Sequence, residues 1–110
     1  MDEPRPGDSQ PEEEKEPEEK KPLFPLGRTV ATPGALATLA SLDIEPSTLL
    51  DRHVFGDWGD MVEEDKAEND FSIDKYLRIF SSYKIADDVK IWVITEADRS
   101  VTTILLPAEY

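Results

Sequence analysis

His53 is the only histidine in the chain, and so the only side chain whose ordinary pKa lies near neutrality. Beside Arg99, Tyr83 and the hydroxyls of Thr102 and Thr103, it completes the set that metal-independent RNA cleavage needs. One group deprotonates the ribose 2′-hydroxyl and a cation stabilises the phosphorane. Small toxin-type ribonucleases place such groups on a sheet behind N-terminal helices, a likeness of fold class alone. The competing reading makes His53 a buried member of the helix face it shares with Leu49 and Leu50. No second histidine or suitably spaced partner accompanies it, which favours the core reading.

From Asp57 to Asp70 the chain places seven acids, Asp57, Asp60, Glu63, Glu64, Asp65, Glu68 and Asp70, against the single Lys66. Carboxylates of this density suit Mg²⁺ or Ca²⁺, but the glycine and terminal glutamate of a calcium loop are not at the required positions. Acids early in a helix also complement its dipole without any ligand. A solvated helix face is expected, with no metal and no cofactor assigned. Trp58, between two glycines and two aspartates, either plugs the core or anchors a partner in an acidic surround. On the second reading the binding patch comprises Asp57, Trp58, Asp60, Glu63 and Glu64, joined by Glu96, Asp98 and Arg99 from a turn near the C-terminus.

The elements that must position these groups are legible in part. Arg28 to Ala31 reads as a short strand. Thr32-Pro33 opens a helix as N-cap and first helical residue, expected to bury Leu36, Leu39, Ala40 and Leu42. A second helix starts at Pro46, repeats Leu49, Leu50, His53 and Val54 at helical spacing, and stops at Gly56. Asp60 and Glu63 match a capping box for a third, surface helix ending near Asn69, after which Phe71, Ile73, Tyr76 and Leu77 are expected to turn inward. Arg78 to Ile85 reads as a strand. The last segment is a hairpin, with Trp92, Ile94 and Glu96 on one side and Ile91, Val93 and Thr95 on the other. Both sides are largely apolar, so this strand belongs in the middle of the sheet. Without a glycine its turn takes a wider connection over 97–100. Helices first and strands last predict an α+β domain over 23–110, with a three- to four-stranded, mainly antiparallel sheet and two to three helices on one face.

Residues 1–22 hold five prolines, nine acids and four bases and no aromatic or branched aliphatic residue, so they are expected to form a disordered N-terminal leader. The whole chain carries a net charge of −13, from 25 acidic and 12 basic residues. That sign opposes direct nucleic-acid binding, which draws on Lys and Arg, and suits a basic protein partner. With no cysteine, disulfides, thiolate zinc sites and cysteine nucleophiles are excluded. No apolar stretch approaches the roughly 20 residues of a membrane span, and no basic then apolar signal opens the chain. A cytoplasmic protein without membrane contact is expected.

Val30-Ala31-Thr32-Pro33-Gly34-Ala35-Leu36, Arg52-His53-Val54-Phe55-Gly56-Asp57-Trp58-Gly59-Asp60 and the closing segment from Trp92 to Pro107 together resemble a group of small uncharacterised bacterial proteins of plasmids, phages and integrated elements. The resemblance covers roughly residues 26 to 110 and implies a genomic setting without a mechanism. Some members carry a methylase-subunit label, for which this chain has neither the length nor a glycine-rich cofactor loop. Mobile elements carry small anti-defence and accessory proteins. Together the readings predict a noncatalytic protein-interaction module, with RNA cleavage by His53 and Arg99 as the alternative.

Overall fold

The computed structural model describes residues 21–110. The expected leader therefore lies outside the described residues, apart from Lys21 and Pro22. The order is β1 (Arg28–Ala31), α1 (Pro33–Ser41), α2 (Pro46–Val54), α3 (Glu63–Lys75), β2 (Ile79–Ala86), β3 (Val89–Thr95), β4 (Val101–Leu105) and a 3₁₀ turn at Pro107–Glu109. The strands form one four-stranded sheet in the order β1-β4-β3-β2. β2, β3 and β4 are antiparallel neighbours, whereas β1 runs parallel to β4. The α+β class and the central place of β3 follow the sequence expectation.

Ala35 and Leu39 of α1 and Leu49 of α2 pack on Tyr83, Ile91, Val93 and Ile104, which all point from one side of the sheet. Thr32 caps α1 by accepting from the Ala35 N–H. Its own hydroxyl donates to Glu109, whose carboxylate also accepts from the Gly34 and Leu106 N–H groups. This clamp fixes the 3₁₀ turn against the start of α1. A smaller cluster of Phe24, Trp58 and Ile79 extends the core, with Leu26, Met61 and Ile73 around it.

Two helices depart from expectation. α1 is apolar around most of its circumference, but a single helix on a sheet buries one stripe. That stripe is Ala35 and Leu39, so Leu36, Ala40 and Leu42 face solvent. α3 is longer than expected and turned over. It begins at Glu63 behind Val62 and runs to Lys75, closing with Tyr76 at φ 54°. Its buried residues are Asn69 and Ser72, while Phe71 and Tyr76 are 54% and 66% exposed and Leu77 is exposed as well. The cause is what α3 meets: a strand edge of unpaired backbone groups, which polar side chains satisfy and apolar ones do not.

Candidate functional site

α2 carries His53 into the interior, where it is 0% exposed. Its Nδ1 lies 2.5 Å from Ser81 Oγ on β2 and its Nε2 lies 2.9 Å from Thr95 Oγ1 on β3. Thr95 Oγ1 is 2.7 Å from Thr102 Oγ1 on β4, and Thr102 donates to the Leu26 carbonyl at 2.7 Å. That carbonyl can only accept, so the single Thr102 proton is spent on it. Thr95 must then donate to Thr102 and accept from His53 Nε2–H, which leaves Nδ1 to accept from Ser81. The chain of hydroxyls thus selects the Nε2–H tautomer. Phe24 and Trp58 enclose the ring edge-on, at centroid distances of 5.2 and 5.8 Å. Burial lowers the His53 pKa to about 3, because imidazolium finds neither water nor a carboxylate there. The ring is neutral at pH 7 and has no route to a substrate proton.

Arg99 is equally occupied. It closes the β3–β4 turn at φ 63°, with its backbone N–H bonded to the Glu96 carbonyl. Its guanidinium donates to the Ser72 and Leu77 carbonyls at 2.9 and 2.8 Å and to those of Glu96 and Ala97 at 3.1 and 2.9 Å. The Ser72 carbonyl already accepts from the Tyr76 and Leu77 N–H groups, and Arg99 adds a charged donor from the hairpin at the negative end of α3. Of the four catalytic candidates, His53 and Thr102 share one network through Thr95. Arg99 sits in another, and Thr103 opposes Val30 and Ile94 on the opposite face of the sheet. They do not converge on one cleft.

The segment from Gly56 to Asp60 is a strand cap. The Ser82 N–H donates to the Trp58 carbonyl, the Asp60 N–H donates to the Ser82 carbonyl at 2.6 Å, and Asp60 Oδ2 accepts from the Lys84 N–H at 2.7 Å. The Asp60 carboxylate is thereby spent on β2, so it does not cap α3, correcting the capping-box expectation. Gly59 has φ 83°, and a Cβ there would stand 2.1 Å from the Ser82 carbonyl oxygen, so only glycine fits. On the same edge, Asn69 of α3 donates to the Phe80 carbonyl at 2.6 Å and accepts from the Phe80 N–H at 3.1 Å. Phe80, Ser82 and Lys84, the residues whose backbones face away from β3, are each covered.

This geometry redistributes the expected binding patch. Trp58 is 4% exposed and donates to Asp70 at 3.3 Å; it plugs the core beside Phe24 and Ile79. Asp57 pairs with Arg52 at 2.6 Å, and the guanidinium holds its carboxyl below the ordinary value. Asp98 accepts from the Ser100 N–H within its own turn, and Glu96 pairs with Arg78 at 3.3 Å. Glu63 and Glu64 are exposed too, with Lys66 reaching Glu63 at 3.6 Å. Among the described residues, no three His, Asp or Glu side chains gather as metal ligands.

Sequence reasoning missed the outward side of α3 and its ends, where Val62 before the helix, Phe71 on it and Tyr76 and Leu77 after it are exposed, as are Glu64, Asp65, Glu68 and Asp74. The signal was present as the lack of any apolar stripe between Glu63 and Lys75. Among the described residues, no helix is long and apolar enough to cross a membrane. No family model, no curated protein and no solved structure matches this chain.

Proposed function

We propose that the protein is a noncatalytic protein-interaction module of the accessory or anti-defence kind, and that its contact surface is the outer face of α3. The inversion of that helix carries the reading: its buried residues are polar, Phe71 on it is exposed, and Tyr76 and Leu77 are exposed just past its end. Apolar groups left in water forgo a stabilisation of about 25 cal/mol per Å², and patches of this kind with a polar rim mark interfaces. Glu64 and Glu68 share the helix side of Phe71, at spacings of seven and three residues. The complementary partner is a basic protein surface with an apolar centre. Both ring nitrogens of His53 and the guanidinium of Arg99 are engaged internally, which supports a noncatalytic role over RNA cleavage. The mobile-element setting implied by the sequence resemblance agrees with an accessory job.

The test is affinity capture with the immobilised full chain from a bacterial extract, alongside the triple variant Glu64→Lys, Glu68→Lys, Phe71→Ser. A partner recovered by the wild-type chain and lost from the variant is the expected result. Recovery of the same proteins by both chains refutes the assignment of the surface.

A further inference from the structure

The four strands contain no Asp or Glu and three cations, Arg28, Lys84 and Lys90, in a chain of 25 acids and 12 bases. The register puts all three on the face turned away from α1 and α2. Arg28 stands opposite Val101, and Lys84 stands directly opposite Lys90. Like charges as cross-strand neighbours destabilise a hairpin, and an anion between them reverses the sign. None of the ion pairs among the described residues uses any of the three.

Between the two ends of this face runs a row of aromatic rings. Trp92 meets Phe80 at 4.8 Å and Tyr110 at 5.7 Å between centroids. Tyr110 is 70% exposed, and its hydroxyl accepts from Arg78 at 2.7 Å. Beside the lysines, at the sheet margin toward α1, opens a groove of about 810 Å³ lined by Lys84 and Lys90 together with Thr38, Asp60, Asp88 and Leu106.

We propose that this sheet face binds single-stranded nucleic acid, with bases stacked on Tyr110 and Trp92 and the phosphate backbone held at Lys84 and Lys90. Aromatic faces interleaved with cations are the two components such binding requires, and neither depends on sequence. Arg78, just before β2, and Lys84 within it are six residues apart, about 20 Å in extended chain, which is the reach of several nucleotides and too long for one mononucleotide. Among the described residues no acid lies within a strand, and the nearest carboxylates, Asp60, Asp88 and Glu96, stand at the margins of the face. At about 0.1 M salt, exposed charges more than about 10 Å apart are largely screened. Cations in contact with phosphate are not.

The experiment is an anisotropy titration of dye-labelled oligo-dT and oligo-U of about 12 nucleotides, a length within the site sizes of single-strand binders, with the full chain. Saturable binding is expected. Lys84→Glu with Lys90→Glu, and separately Tyr110→Ala, should each raise Kd about tenfold, the loss of roughly one base stack or phosphate clamp. All three positions are exposed, so the variants should keep the wild-type melting temperature. The α3 triple variant should bind the oligonucleotide unchanged, which keeps this result separate from the protein-partner reading. No saturable binding up to ~100 μM, the weak end of non-specific affinity, overturns the proposal. So does equal binding by the lysine variant. Self-association that the lysine variant loses, in place of oligonucleotide binding, assigns the face to a second copy and overturns it as well.

Discussion

Acidification should unfold this protein through His53 before most carboxylates titrate. The buried ring has a pKa of about 3, against an ordinary 6.5 in the unfolded chain. Between those values the unfolded state binds a proton that the folded state refuses, so stability falls as pH falls. The loss follows RT ln(1 + 10^(pKa − pH)) for the unfolded group. It is about 2 kcal/mol on going from about pH 7.5 to about pH 5, about 3 by about pH 4, and levels off near 5 below the folded pKa. Against a typical total of about 5 to 15 kcal/mol, that decides whether the domain stays folded. His53→Gln keeps an amide donor for Thr95 and an acceptor for Ser81 while removing the titration. Urea unfolding followed by tryptophan fluorescence, at several pH values, gives each protein's slope. The wild-type chain should lose about 2 kcal/mol more than His53→Gln between about pH 7.5 and about pH 5. Because the chain has a single histidine, its ring proton resonance, measured without a tag, should show no inflection across the same interval. Parallel slopes for the two proteins, or an inflection near pH 6.5, refute the account of a neutral, sealed imidazole.

Other contacts give independent outcomes. Gly59→Ala forces a left-handed residue against the Ser82 carbonyl and should cost at least about 2 kcal/mol in urea unfolding. Asn69→Leu keeps the volume but leaves both Phe80 backbone groups without partners. A loss of about 2 to 4 kcal/mol, with faster aggregation by light scattering, is the expected result. Arg99→Lys replaces a planar fork that reaches carbonyls on α3 and in the hairpin with a single ammonium. It should cost about 2 kcal/mol and raise amide exchange at the C-terminal end of α3. Leu36→Ser, on the exposed side of α1, should shift stability by under about 0.5 kcal/mol in the same assay.

The strands and the first two helix starts were legible because local chemistry decides them. Pro33 and Pro46 open helices wherever they precede good helix formers, and alternation in Ile91 to Thr95 sorts its side chains without reference to the rest of the fold. The burial of His53 was legible as well, from its place on the Leu49 face. What could not be read was any contact between distant backbones. Asp60 looks like a helix cap from its neighbours, yet the Lys84 N–H, 24 residues on, takes its carboxylate. Asn69 and Ser72 look like solvent-facing residues of α3 and are its buried ones, because they answer to a strand edge and to Arg99. Trp58 was ambiguous for the same reason: its neighbours are polar, and the cavity it fills is built from Phe24 and Ile79.

The unequal treatment of the two sheet edges sets a limit on growth by strand addition. The outer side of β2 is closed off at Phe80, Ser82 and Lys84, while β1, among the described residues, has β4 on one side and no strand on the other. A sheet with two live edges can propagate without end, each added strand exposing a fresh template. A sheet with one is monovalent: among the described residues, pairing through β1 uses the one open edge, and two copies joined edge to edge there present only closed flanks. A second copy that joins this one through β1 therefore ends the addition at a single step, so growth between copies stops at two whatever the concentration.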